Sequence, residues 1–119
     1  MFNSNKIYFK NQNHEERFFK LLKLVGYDLI NNKEYAPAIY LLSSMQNDCL
    51  EFGYISVNSF KQLVFEKYPS YKLDNFKFYL AKDFYNFNHN KKKISISEYV
   101  SNLDDCEKEV LIQALKLAM

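Results

Sequence analysis

Apolar side chains return every three or four positions over most of the chain, which is the spacing of one face of an α-helix. The clearest example follows Asn13, where one face carries Phe18, Leu21, Leu22 and Val25. Asn13 and Glu16 have the spacing of a capping box, and Gly26 is a C-terminal stop signal. The pattern therefore predicts a first helix that begins at Asn13 and stops at Gly26. Residues 1–12 alternate only loosely, which predicts an extended arm that docks its apolar side chains on the core.

The same spacing predicts further helices over approximately 32–45, 48–52, 56–67, 72–87, 97–103 and 104–119. The apolar run 38–42 marks the second of these helices as central and buried. Residues 94–96 alternate between apolar and polar, but three positions are too few to predict a strand. We therefore predict an all-α fold with residues 1–119 as a single helical domain. Its architecture would be a compact bundle of five to seven helices around one core, with the extended arm at the N-terminus.

The predicted helix over 72–87 has two apolar faces. One stripe carries Leu73, Phe76, Leu80, Phe84 and Phe87, and a strip on the opposite side carries Phe78, Ala81 and Tyr85. A helix of this kind either lies inside the domain with neighbours on both sides or presents one face to a partner. The strip of Phe78, Ala81 and Tyr85 is therefore the candidate protein-binding surface, with a place in the core as the alternative.

Composition places the chain among ordinary globular proteins. Its 119 residues suit one domain, 48% of them are hydrophobic, 25% are charged, and the formal net charge is +2. These values exclude a histone-like polycation and an acidic disordered tail. The N-terminus lacks the apolar run of a signal peptide, and no uncharged apolar stretch is long enough for a membrane span. The expected location is the cytoplasm, without a membrane partner.

Five residue types with AT-rich codons, namely Asn, Lys, Ile, Phe and Tyr, account for 56 of the 119 residues. This bias indicates a low-GC genome. It also weakens the aromatic content as a sign of stacking on bases, because Phe and Tyr then partly take the place of Leu.

No motif for catalysis or for metal binding appears. Gly26 and Gly53 are the only glycines, so a glycine-rich phosphate-binding loop is excluded. His14-Glu15-Glu16 begins like a zinc-protease motif but lacks the second histidine. We therefore predict a protein that is not an enzyme and that has no cofactor, no metal site and no catalytic residue.

The positive charge is concentrated in residues 61–93, where eight lysines face three acidic residues. The alternative function is therefore a small DNA-binding regulator that uses the basic region 56–93. Its candidate nucleic-acid-binding residues are Lys77, Lys82, Lys91, Lys92 and Lys93. A low net charge and a single arginine, Arg17, argue against it, since phosphate neutralisation and guanine recognition draw on such groups.

The segment from Phe9 to Leu22 resembles the start of a group of small helical proteins of unknown function from low-GC Gram-positive bacteria, their phages and their conjugative elements. The shared features are an early aromatic-x-Asn-x-x-His-Glu-x-Arg segment, here Phe9 to Arg17, and an apolar helix like 38–42. The resemblance implies an all-helical fold and a mobile-element setting, and it supplies no catalytic residue. The leading prediction is a protein-binding accessory or regulatory factor with a host or phage protein as partner. Self-association into a homo-oligomer is an alternative that the sequence leaves open.

Overall fold

The computed structural model describes residues 7–86 and 103–119 of the chain. Within these ranges it contains four α-helices, one 3₁₀ helix and a two-stranded antiparallel sheet. The helices are α1 Gln12–Val25, the 3₁₀ helix Tyr27–Asn31, α2 Tyr35–Ser43, α3 Lys72–Asn86 and α4 Asp105–Ala118. The strands are β1 Ile55–Val57 and β2 Leu63–Phe65.

Helix α1 forms as the apolar spacing predicts, with one difference at its start. The side-chain oxygen of Asn11, not that of Asn13, accepts a hydrogen bond from the backbone N–H of His14 at 2.8 Å. At the other end Gly26 has φ 127, and its N–H donates to the carbonyl of Leu22 at 2.7 Å. The predicted stop at Gly26 is therefore confirmed, because glycine adopts this left-handed conformation without strain.

Helix α2 is the centre of the fold. All of its residues from Ala36 to Ser43 are buried, and it contacts α1, α3 and α4. Its first turn is capped by Asn32, whose side-chain oxygen accepts from the backbone N–H of Glu34 and Tyr35. Pro37 lies in that first turn, where a missing N–H is tolerated. The prediction of a central buried helix is confirmed.

The predicted bundle of five to seven helices is wrong, because a β-hairpin occupies most of the segment predicted as a helix over 56–67. Strands β1 and β2 pair with Ile55 opposite Phe65 and Val57 opposite Leu63. The segment predicted as a helix over 48–52 is a turn in which Asp48 accepts two backbone N–H bonds. Local side-chain-to-backbone bonds of this kind compete with helix formation. The predicted helix over 97–103 falls almost wholly outside the described residues.

Helix α4 begins where its capping signal predicts. The Asp104 side chain accepts from the backbone N–H of Glu107 at 2.8 Å. The helix buries Val110, Leu111 and Ala114 against the core, whereas Leu115 is half-exposed. Of the N-terminal arm, residues 7–11 are described. Ile7 is buried, and the N–H of Tyr8 donates to the side chain of Gln113 at 3.0 Å, so the arm docks along α4.

Within the described ranges, no helix combines the length and the apolar character that crossing a membrane requires.

Candidate functional site

A cavity of about 470 Å³ opens where the N-terminal ends of α1, α3 and α4 meet the C-terminal end of α2. Such a cavity with perturbed titratable groups is the usual first candidate for a functional site. Its wall is largely polar. It is lined by Lys10, Asn11, Asn13, His14, Arg17, Ser43, Met45, Gln46, Tyr71, Leu73, Leu103, Asp104 and Glu107.

His14 lies in this wall with its ring almost fully buried, at 1% exposure. Its Nδ1 accepts from the backbone N–H of Lys10 at 3.2 Å, and its Nε2 lies 3.0 Å from the carbonyl oxygen of Tyr40. The first bond assigns the proton to Nε2, which therefore donates to Tyr40. Burial lowers the pKa of His14 from 6.5 to about 3, against the opposing effect of the Tyr40 carbonyl. The imidazole is neutral at physiological pH, and both of its nitrogens are occupied.

A buried ionic cluster lies beside His14. The carboxylate of Glu107 contacts two amines, that of Lys10 at 3.0 Å and that of Lys77 at 2.7 Å. Lys77 also donates to the carbonyl oxygen of Ser44 at 2.9 Å. Burial lowers the pKa of Lys77 to about 8, and the charge of Glu107 opposes this shift. Lys77 is therefore mostly protonated at pH 7, and its charge is balanced inside the protein.

These groups complete the C-terminal end of α2. The chain leaves the helix after Ser43, and the next two carbonyls, those of Ser44 and Met45, take their hydrogen bonds from side chains. Lys77 bonds Ser44, and the guanidinium of Arg17 donates to the carbonyl oxygen of Met45 at 2.8 Å. Positive charges at this end of a helix also interact favourably with its dipole. Just beyond the helix, the fully buried carboxylate of Asp74 accepts the backbone N–H groups of residues 46 and 47.

The hydrogen bonds of the cavity wall favour a structural role over acid–base chemistry. The hydroxyl of Ser43 donates to the carbonyl oxygen of Tyr40, so it is not aimed at a base. Both ring nitrogens of His14 form hydrogen bonds with the backbone, and the carboxylate of Glu107 contacts two lysines. In residues 7–86 and 103–119, no group of three or more His, Cys, Asp or Glu side chains could hold a metal ion.

The structure places the predicted protein-binding strip in and against the core. Phe78 is 1% exposed and Ala81 is 0% exposed, so neither side chain reaches a partner. Tyr85 is half-buried: its hydroxyl pairs with that of Tyr35 at 3.3 Å, and its ring packs on Phe65 at 5.5 Å between centroids. Burial and that hydroxyl bond raise the pKa of Tyr85 to about 12. This packing matches the alternative interpretation of the sequence, in which the helix lies inside the domain with neighbours on both sides.

The predicted nucleic-acid residues are not brought together among the described residues. Lys77 is buried in the ionic cluster and cannot reach a phosphate. The amine of Lys82 donates to the hydroxyl of Tyr68 at 3.0 Å and lies 5.3 Å from the centroid of its ring. Lys91, Lys92 and Lys93 lie outside the described residues.

The second candidate site is the tip of the β-hairpin, residues 58–62. Phe60 is 80% exposed, the most of any large hydrophobic side chain in the described ranges apart from the terminal Met119. The loop around it is held by Asn58, whose side-chain oxygen accepts from the N–H of Phe60 at 2.9 Å and of Gln62 at 3.0 Å. The backbone of Asn58 exchanges two further bonds with Gln62 and Lys61. The hairpin thus presents an aromatic ring on an ordered loop.

Two further features indicate that the tip is preorganised. Lys61 has φ 61, and it is the only non-glycine residue with a positive φ in the described part of the chain. This backbone conformation costs free energy in a lysine, whereas a glycine would adopt it without strain. The base of the hairpin is fixed in the core, because Ile55 and Leu63 are buried and the Phe65 ring packs on Phe78 at 5.2 Å. Ordered loops on a rigid scaffold are common binding elements.

Asn58→Ala is expected to lower the free energy of unfolding by about 1 kcal/mol, because two backbone N–H groups lose their side-chain acceptor in an exposed loop. Urea denaturation of both proteins gives the difference. Asn58→Asp is the matched control: it keeps an oxygen acceptor and is expected to cost less than about half as much. Equal losses in the two variants would show that the side-chain acceptor does not order the loop.

Sequence reasoning missed the hairpin tip because each strand has only three residues. The available signal was the pair of runs Ile55-Ser56-Val57 and Leu63-Val64-Phe65, both rich in β-branched or aromatic residues, on either side of a polar loop that starts with Asn58. The helical spacing of Phe60, Leu63 and Val64 outweighed it. The structure exposes Phe60 and buries Leu63, which a shared helical face would not do.

Comparison with known proteins found no matching family model, no matching curated protein and no matching solved structure. The resemblance to the small helical proteins of low-GC Gram-positive bacteria therefore stays a prediction.

Proposed function

We propose that this protein is a non-enzymatic binding factor, with an accessory or regulatory role, that recognises another protein through the tip of its β-hairpin. The observation that carries the proposal is the exposed ring of Phe60 on a loop ordered by Asn58. The proposed binding surface is therefore the hairpin tip and not the strip of Phe78, Ala81 and Tyr85.

The preorganised loop favours binding through Phe60. Burying a phenylalanine side chain in a partner's pocket contributes about 1.5–3 kcal/mol. A flexible loop would lose part of this to the entropy of ordering, whereas this loop is already held by its own hydrogen bonds. A few well-placed aromatic side chains commonly dominate the affinity of a protein interface.

The charges near the ring indicate the chemistry of the partner. Lys61 follows Phe60 directly, and both side chains are exposed. At the base of the hairpin the exposed Lys67, 5.8 Å from the ring centroid of Tyr54, is offset by the neighbouring exposed Glu66, so the charge at the tip is that of Lys61. The partner surface that suits this tip is an apolar pocket wide enough for a benzyl group, with carboxylates on its rim.

Placing a photo-reactive phenylalanine analogue at position 60 in the native host tests the proposal. We expect a covalent adduct with one protein, and no such adduct from position 27, where Tyr27 is also exposed but lies on the 3₁₀ helix. With that protein purified, calorimetry is expected to show that Phe60→Ala weakens binding by about 10–100-fold.

The same titration with Tyr27→Ala serves as the matched control and is expected to leave the affinity unchanged. Phe60→Ala should also change the free energy of unfolding by less than about 0.5 kcal/mol, because the ring is exposed. Equal binding by wild type and Phe60→Ala would refute the proposal. Binding that disappears after nuclease treatment would replace it with the DNA-binding alternative.

A further inference from the structure

We infer that two copies of this chain associate weakly through the exposed face of α4, with the two helices antiparallel around a two-fold axis. The inference does not depend on the proposed function, because α4 and the hairpin are separate elements with separate exposed side chains. It rests on an apolar stripe and on charges that lack partners within one copy.

The apolar stripe consists of Ile112, Leu115 and Met119, which are 44%, 37% and 83% exposed. Ile112 and Leu115 lie along one side of the helix, away from the buried Val110, Leu111 and Ala114, and Met119 directly follows the end of the helix. Alternate steps of three and four are the seam pattern of paired helices. The stripe therefore has the arrangement of a helix–helix contact whose second helix is missing from a single copy.

The charges beside the stripe are unbalanced within one copy. Asp105 and Glu109 lie four residues apart on the exposed side of α4, where two like charges repel. Among the described residues, no ion pair forms at Asp105, Glu109 or Lys116: the three pairs that exist involve other acidic side chains. Glu109 and Lys116 are seven residues apart and so flank the stripe on the same side.

An antiparallel second copy covers Ile112 and Leu115 and supplies partners for Glu109 and Lys116. When Ile112 of the first helix contacts Leu115 of the second, two-fold symmetry requires that Leu115 of the first also contacts Ile112 of the second. In that register Glu109 of each copy comes within reach of Lys116 of the other, since positions of this kind face each other in antiparallel helix pairs. In a parallel pair the positions of Glu109 in the two helices lie on opposite sides of the seam, and neither would meet Lys116 of the other copy.

The contact proposed here is small. The apolar stripe covers only two turns of helix, so the buried area falls below the range of stable dimers, about 1,200–2,000 Å² in total. The expected association is therefore weak and sensitive to salt, because part of it comes from exposed ion pairs.

Sedimentation velocity over about 10 µM to 1 mM protein tests the inference, a span that covers dissociation constants typical of weak contacts. We expect a concentration-dependent shift from monomer to dimer. Ile112→Asp should weaken the association at least about tenfold, and Leu24→Asp, which changes a leucine of matched exposure on α1, should leave it unchanged.

Charge exchange tests the antiparallel register. Glu109→Lys and Lys116→Glu should each weaken the dimer, and the double variant should restore it, because the pairs then form with reversed sign. Circular dichroism of each variant checks that it is folded. A wild-type chain that stays monomeric at 1 mM, a dimer unaffected by Ile112→Asp, or a double variant without recovery would each overturn the inference. So would a dimer abolished by Phe60→Ala, which would assign self-association to the hairpin.

Discussion

The variant Glu107→Gln is expected to lose about 3–5 kcal/mol of its free energy of unfolding at pH 7, the usual cost of breaking a buried ion pair from one side. Glu107 is the carboxylate that contacts both Lys10 and Lys77. Glutamine keeps the shape and removes the charge. Lys77 must then bury an unbalanced charge or give up its proton, and either change destabilises the folded protein. Guanidinium denaturation followed by circular dichroism measures the loss.

Two further variants separate the ion pair from packing. Lys10→Gln removes only the ion pair between Lys10 and Glu107. Because the Lys10 side chain is partly exposed, this variant should lose no more than about 1 kcal/mol of its free energy of unfolding. Adding Lys77→Met to Glu107→Gln removes the amine that has lost its counterion. The free energy of unfolding lost by the double variant should therefore be smaller than the sum of the losses in the two single variants. A loss below about 1 kcal/mol for Glu107→Gln would show that Lys77 does not need this counterion.

The second large effect is a loss of stability in acid that is due to His14. Its pKa is about 3 in the folded protein and about 6.5 in the unfolded chain, so the unfolded state binds the proton more readily. The stabilisation is complete above pH 6.5 and is lost as the pH falls towards 3. The slope is about 1.4 kcal/mol for each pH unit, which gives a loss of about 2–3 kcal/mol between pH 6.5 and 4.5, before most carboxylates titrate.

Denaturation midpoints across this pH range should be measured in a His89→Gln background, in which His14 is the only histidine. Adding His14→Gln should flatten the dependence between pH 6.5 and 4.5. If this second variant folds poorly, the NMR shift of the His14 ring in the parent protein gives the answer directly, because it should show no protonation above about pH 4. A midpoint near pH 6 for that signal would mean that the ring is accessible to water and would remove the basis of the prediction.

The sequence predicts the parts of this fold that depend on local pattern. Helices α1, α2 and α4 follow from apolar spacing together with a cap or stop that lies within a few residues, as at Gly26 and Asp104. The sequence does not predict the hairpin, because strands of three residues are too short to show alternation. Its loop is defined instead by one side chain, Asn58, whose bonds compete with a helix.

The ionic cluster could not be predicted because its members are far apart along the chain. Lys10 and Glu107 are 97 positions apart, and Lys77 reaches a carbonyl 33 positions away. Nothing in the local sequence distinguishes Lys77 from an exposed lysine, so the sequence predicts it as a nucleic-acid-binding candidate. The sequence leaves the role of the aromatic residues of α3 open for a related reason: an apolar strip that packs against a hairpin and one that binds a partner have the same sequence pattern.

The way α2 ends has a consequence for how the chain unfolds. The carbonyls of Ser44 and Met45, which directly follow the helix, depend on Lys77 from α3 and Arg17 from α1, and the charge of Lys77 depends in turn on α4. Deleting any one of these helices would leave buried polar groups without partners, at a cost comparable to the whole stability of a small protein. The four helices are therefore expected to melt together in a single cooperative transition, and no subset of them forms an autonomous folding unit.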